Sequence, residues 1–283
     1  MTNNEYHAHP ALSASGLKLL NKTPAHYYAQ YLAPDRVKPE PTKAMKLGTM
    51  IHTACLEPHL FDDQYAVMPD GITRQSKEGK QLHADIIASG KEPISNDELK
   101  LALDTSAAFL AHPLIMQLRK IPHKIENSIF CTINGIPVKM RPDFMIEPCE
   151  QYPNGLIIDL KTTEDASPQG FAKSVCNYEM HIQAAFYKRL FTLHYKTGIE
   201  PDFLWFAQEK SAPFLNAVYR CHDALTEYGH AEVDRLLDVY RVSQLTGEWF
   251  GYNLGIADIE LPAYALNKIN ETTNEIEVSY VNN

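Results

Sequence analysis

Arg141-Pro142-Asp143-Phe144-Met145-Ile146, followed across a turn by Leu156-Ile157-Ile158-Asp159-Leu160-Lys161-Thr162, reads as two strands and decides the fold. Alternate residues of a strand share a face, so Asp159 and Lys161 project to one side while Ile158 and Leu160 point to the other. One face is therefore expected to carry chemistry and the other the core. If the two strands are neighbours, Asp143 lies beside Asp159, and two carboxylates with an ammonium alongside can share a divalent cation. An isolated Asp-x-Lys is ordinarily a surface ion pair, so its surroundings decide which reading holds.

Upstream, residues 125–147 place β-branched and aromatic side chains on either side of Asn134-Gly135, the dipeptide best suited to a tight hairpin turn. This puts Arg141-Pro142-Asp143 on the second hairpin strand. Further upstream, Ser13 or Ser15 caps a helix carrying Leu17, Leu19 and Leu20, and Pro24 opens a second that ends before Pro34. Pro34, Pro39 and Pro41 mark an exposed connection. Residues 43–58 read as a helix that carries His52 and should stop at Pro58. From Phe61 to about Asp97 the text is polar and mixed; a helix is then expected over 97–111, capped by Asn96 or Asp97. Downstream come a long helix from about 178 to 196, strand-like runs over 202–209 and 212–220, and a helix from about 223 to 247. This order predicts an α/β or α+β layered domain with a central mixed sheet flanked by helices. A single domain is expected over residues 1–262, with a mainly helical part (1–120) and a core (121–262), followed by a flexible tail at 263–283.

The 283 residues are 45% hydrophobic and 22% charged, enough for a proper core and too apolar for a disordered chain. A formal charge of −9 weighs against a basic protein that coats nucleic acid, but carboxylates clustered for a metal contribute the same sign. No apolar run approaches the roughly 20 residues of a membrane span, and the opening residues have no signal-peptide pattern. The five cysteines are scattered without a Cys-x-x-Cys pair, which argues against a zinc ribbon, an iron–sulfur cluster or a disulfide framework. A cytoplasmic location is expected.

Arg141-Pro142-Asp143-Phe144, then Ile158–Thr162, then Gln183–Tyr187 on the following helix resemble the core of PD-(D/E)XK nucleases, within the RecB-like subgroup. With residues 12–32, Gly48–Pro58 and Arg74–Lys80 added, the chain resembles the exonuclease domains of the RecE-type exodeoxyribonuclease VIII family over roughly residues 5–262. The resemblance implies a restriction-endonuclease-like PD-(D/E)XK core with an N-terminal helical extension. It implies a metal-dependent 5′-to-3′ exodeoxyribonuclease that acts on ends of double-stranded DNA and leaves a 3′ overhang for recombination by strand annealing. Mg²⁺ is the implied cofactor, with Mn²⁺ as a substitute, and no iron–sulfur cluster, because the four-cysteine staple of some relatives is not matched. A ring-shaped homo-oligomer, trimer or tetramer, and a single-strand annealing protein are the implied partners, with no membrane.

Carried onto this sequence, the metal ligands are His52, Asp143, Asp159 and the backbone carbonyl of Leu160, and the catalytic lysine is Lys161. Gln183 and Tyr187, four apart on one helical face, contact substrate phosphate or orient Lys161. Glu126 is an outer carboxylate or a solvated strand-edge residue. Asp159 stands where many relatives carry Glu, one methylene longer. Lys43 and Lys46, the cluster Arg74, Lys77 and Lys80, and Arg141 are candidates for the DNA backbone, or ordinary solvated surface. Two alternatives remain on the same core, an endonuclease or nickase and a catalytically silent DNA-binding module; the second predicts loss of a ligand or the lysine, and both are present.

Overall fold

The computed structural model describes residues 1–36, 40–72, 75–252 and 255–262. Four helices open the chain: α1 (Asn3–Ala8), α2 (Ala14–Lys22), α3 (Pro24–Tyr31) and α4 (Lys43–Leu56). Then come α5 (Phe61–Gln64), β1 (Tyr65–Val67), α6 (Lys77–Ala88), β2 (Glu92–Ile94), α7 (Asn96–Ala111) and α8 (Pro113–Leu118). The strands β3 (Lys124–Ile125), β4 (Ile129–Ile133), β5 (Ile136–Met140), β6 (Phe144–Ile146) and β7 (Leu156–Thr163) follow. The chain continues through α9 (Pro168–Asn177), α10 (Met180–Tyr195), β8 (Asp202–Glu209), β9 (Asn216–Arg220) and α11 (Asp223–Thr246).

Caps set most helix starts. The Ser13 hydroxyl accepts from Gly16 N–H, which settles the choice between Ser13 and Ser15. Helix α7 is capped by Ser95 and not by Asn96 or Asp97, because Ser95 and Glu98 satisfy each other's amides in a reciprocal capping box.

A five-stranded sheet in the order β3-β6-β7-β8-β9 forms the centre, with β7 and β8 parallel and the other pairs antiparallel. It is the mixed sheet expected. The hairpin turns at Asn134-Gly135, whose φ angles of 50° and 82° fit the positive-φ requirement of a two-residue loop. Its strands, however, form a separate two-stranded sheet, and Arg141–Asp143 lie beyond its last pair, Ile129↔Met140. Pro142 has no N–H to donate, so the ladder ends there and the chain crosses into the central sheet at Phe144.

Both faces of the sheet are covered. Met145, Ile157, Phe203 and Trp205 pack toward α2, α10 and α11, against Leu17, Phe186, Leu190 and Leu236. Phe144, Ile158, Leu160 and Phe206 pack against Ile51 of α4, Phe109 of α7 and Ile115 of α8. Each such fully buried side chain contributes roughly 1.5–3 kcal/mol of transfer free energy. The expected split into a chemical face and a core face therefore holds only at the end of β7: Asp159 is 1% exposed, and Lys161 and Thr162 are the half-buried residues of the strand. Gly229 lets α11 lie close on α10, where a Cβ would come within 2.5 Å of the His181 carbonyl.

Some elements fall outside the expected order. The polar stretch 61–97 contains α5, α6 and a short parallel pair, Tyr65↔Glu92 to Val67↔Ile94. Helix α9, capped by Ser167 with Pro168 in its first turn, buries Phe171 and Val175, four apart on one face. Residues Met1–Trp249 form one compact unit, and the described residues after it, 250–252 and 255–262, carry neither helix nor strand. The expected tail, 263–283, lies outside the described residues. No described helix is long and apolar enough to cross a membrane.

Candidate active site

The register of β6 against β7, Phe144↔Ile158, extends to place Asp143 opposite Asp159. Asp143 is fixed by the Leu160 N–H, which donates to its Oδ2 at 2.6 Å. From the other side, α4 brings His52, whose Nδ1 lies 3.7 Å from the same oxygen. Glu126 follows β3 in a left-handed conformation, φ 48°, and its N–H donates to the Asp143 carbonyl at 3.2 Å. One ligating atom from each of His52, Glu126 and Asp143 lies within 4.8 Å of the others.

Asp159, also expected as a ligand, is not one of this trio. Its Oδ1 accepts from Gln183 Nε2 at 2.8 Å. Its Oδ2 is buried without a hydrogen bond and relies on the Lys161 ammonium, 2.6 Å away, for charge compensation. Lys161 donates in turn to Gln183 Oε1 at 3.2 Å, so one amide of α10 holds both the acid and the amine of the Asp-x-Lys pair. Tyr187, one turn further, donates to the Arg141 carbonyl at 3.4 Å and pins the connection from which Asp143 projects.

Burial pushes the Asp143 carboxyl up to about 6; His52 and Lys161 oppose this and Asp159 adds to it. Burial also drives Glu126 up to about 8, helped by Asp143 and resisted by Arg141. For Lys161 burial disfavours the charge, but Asp159 and Asp143 outweigh it and hold the amine above the ordinary lysine value. Burial makes the ionised form of these carboxyls costly, so they hold their protons more tightly than usual, and a bound cation would favour the ionised form in the proton's place.

The basic candidates are placed differently. Arg141 is committed locally: its Nε donates to Glu126 Oε2 at 2.8 Å, a terminal nitrogen reaches the Thr2 carbonyl at 3.4 Å, and the guanidinium lies 5.6 Å from the Tyr6 ring centre. Lys43 and Lys46, exposed at the start of α4, line a groove of about 1280 Å³ that runs to Glu57 and Arg141 beside the site. Lys46 is paired with Glu92 at 2.7 Å. Lys77 and Lys80 are exposed in the first turn of α6 and do not line that groove, and Arg74 lies outside the described residues. No motif marks two further charged neighbours. Glu57, at the end of α4, adds to the field on Glu126, and Lys18 of α2 feels Lys161 and Asp159. A lysine set among Leu17, Leu19 and Leu20 is the one signal the sequence gives for the latter.

A mixed sheet between helical layers, with two acids and a lysine meeting where β6 and β7 adjoin, defines a PD-(D/E)XK-like domain. The chain belongs to the PDDEXK-like domain family of unknown function DUF3799, which matches residues 13–252. Its fold is similar to that of a crystal structure from Eubacterium rectale named "Putative exonuclease", with a TM-score of 0.63 and 17% identity over 94% of this chain and 97% of the other. A second crystal structure, of SSO0001, is 14% identical over 69% of this chain and 85% of its own, at a TM-score of only 0.32. No curated protein matches the chain in sequence. Family and motif together support a nuclease.

Proposed function

We propose that this protein is a Mg²⁺-dependent exodeoxyribonuclease that degrades one strand of linear duplex DNA from 5′ to 3′ and leaves a 3′ overhang for strand annealing. The observation that carries the reading is the convergence of His52, Glu126 and Asp143 beside an intact Asp-x-Lys pair. The donors suit a hard divalent cation: carboxylate oxygens of Glu126 and Asp143 with one imidazole nitrogen of His52. His52, Asp143, Asp159 and the Leu160 carbonyl would hold the ion, with Glu126 as a further carboxylate. When bound, a divalent cation polarises a phosphoryl oxygen and makes water a better nucleophile.

The chain's own residues do the rest. Lys161 offers its ammonium to the charge that builds on the phosphate in the transition state. Gln183 keeps Lys161 and Asp159 in register. The Leu160 N–H keeps one Asp143 oxygen fixed, and Tyr187 holds the backbone from which Asp143 projects. Nothing here forms a base-reading helix, so little sequence preference is expected. A ring-shaped trimer or tetramer and a single-strand annealing partner belong to the same reading and rest on its resemblance to RecE-type enzymes.

Linear duplex labelled at either the 5′ or the 3′ terminus, incubated with Mg²⁺ or with EDTA, tests this. Early release of the 5′ label, no reaction in EDTA and survival of closed circular duplex are expected. Cutting of the circle would reassign the protein to endonucleases, and a folded protein that cleaves nothing would leave a DNA-binding module.

A further inference from the structure

We infer that Lys18 touches the substrate, its ammonium receiving a phosphate of the strand being cut, next to Lys161. This deepens the nuclease reading and rests on it.

The contacts of α2 point its side chains at the start of α10. Leu17 and Leu20 pack into the core with Ile182 and Phe186, and the Asn21 amide donates to Glu179, the residue just before α10. Four residues after Glu179 comes Gln183, which binds Asp159 and Lys161. Lys18, three residues before Asn21, shares its face of α2, and the charges acting on it are those of Lys161, Asp159 and Glu179. Burial brings its pKa down to about 8.

Other buried lysines here are satisfied. Lys139 donates to the carbonyls of Tyr6 and His9, at 2.5 and 2.7 Å, and Lys188 reaches Thr226 and Glu200, each at 3.3 Å. Lys18 has no hydrogen bond or ion pair among the described residues, and its strongest charged neighbour is a second ammonium. Asp159 and Glu179 offset part of that repulsion, but neither bonds the ammonium, and a half-buried cation without a bonded partner is unfavourable in the free protein. An anion that both amines can share removes that cost, and the anion the proposed reaction brings here is phosphate.

Kd for a short duplex in EDTA, at several salt concentrations, and kcat and KM in Mg²⁺ are measured for wild type, Lys18→Met and Lys18→Arg. Loss of one charge-assisted phosphate contact predicts about a tenfold rise in Kd and KM for Lys18→Met. The slope of log Kd against log salt falls by about one, and Lys18→Arg restores most of both. Duplexes with 5′-phosphate and 5′-hydroxyl ends distinguish the two sources of the group. Loss confined to the former assigns Lys18 to the terminal phosphate, and equal loss on both assigns it to an internal phosphodiester. Unchanged KM and salt slope in Lys18→Met overturn the inference, as does a loss that Lys18→Arg fails to rescue. Failure of the underlying reading is separate: it shows as wild-type protein that cleaves no DNA.

Discussion

Helix α10 serves two charged clusters. Through Gln183 and Tyr187 it supports Asp159, Lys161 and the Asp143 connection. Through Lys188 and Arg189 it supports a network on another side, where Glu200 meets His230 at 2.8 Å and Lys188 at 3.3 Å, and Arg189 pairs with Asp234. Burial alone would raise Glu200, but His230 and Lys188 outweigh it and its pKa is lowered. Asp143 and Glu126 go the other way. The same residue class on one scaffold is shifted in opposite directions: at Glu200 the cations outweigh burial, while at Asp143 and Glu126 burial outweighs His52, Lys161 and Arg141. The Glu200 cluster ties α10 to α11; the Asp143 cluster is the one proposed to take a metal ion.

The largest effect should come from breaking the Asp159–Lys161 side. Lys161→Ala or Asp159→Ala should lower the cleavage rate by about a hundredfold or more, read from turnover on linear duplex. Lys161→Ala also strands the buried Asp159 carboxylate, and chemical denaturation of metal-free protein should show a loss of about 3 kcal/mol. Saturating Mg²⁺ or Mn²⁺ should act in reverse. At a hundred times Kd it contributes about 2.7 kcal/mol, which a thermal scan with and without EDTA reads as a rise of roughly 5–10 °C. A wild-type melting curve indifferent to divalent ions would remove the distinction between the clusters.

Gln183→Ala should be milder, about a tenfold loss of kcat, since it disturbs the placement of Lys161 without removing a charge. Glu200→Gln should leave cleavage within about twofold while lowering stability by about 1 kcal/mol. That contribution has a pH signature. Because the folded pKa of Glu200 lies below the ordinary carboxylate value, its stabilisation is present above that value and is lost as pH falls through the lowered one. The acid limb of the stability curve should therefore be shallower in Glu200→Gln than in wild type.

Much of this was legible in the sequence because period and punctuation are local. Asn134-Gly135 fixed the hairpin, and alternation in Leu156–Thr163 placed Asp159 and Lys161 together. What pairs with what is not local. That Pro142 would hand the chain from one sheet to another depends on β6 finding β7, and the hairpin pattern reads straight through it. The grouping of Glu126 with His52 and Asp143 needs a left-handed turn after a two-residue strand, which leaves no periodic trace. Lys18 was hidden for a related reason: a helix reveals its apolar stripe, while the neighbour facing each remaining position is set by tertiary packing.

Mn²⁺ binding by calorimetric titration of wild type, Asp143→Asn and Glu200→Gln tests the contrast most directly. Wild type and Glu200→Gln should bind alike, and Asp143→Asn should lose most of the affinity while staying folded. Equal binding by all three proteins, or none by wild type, would contradict the assignment of the β6–β7 junction as a metal centre.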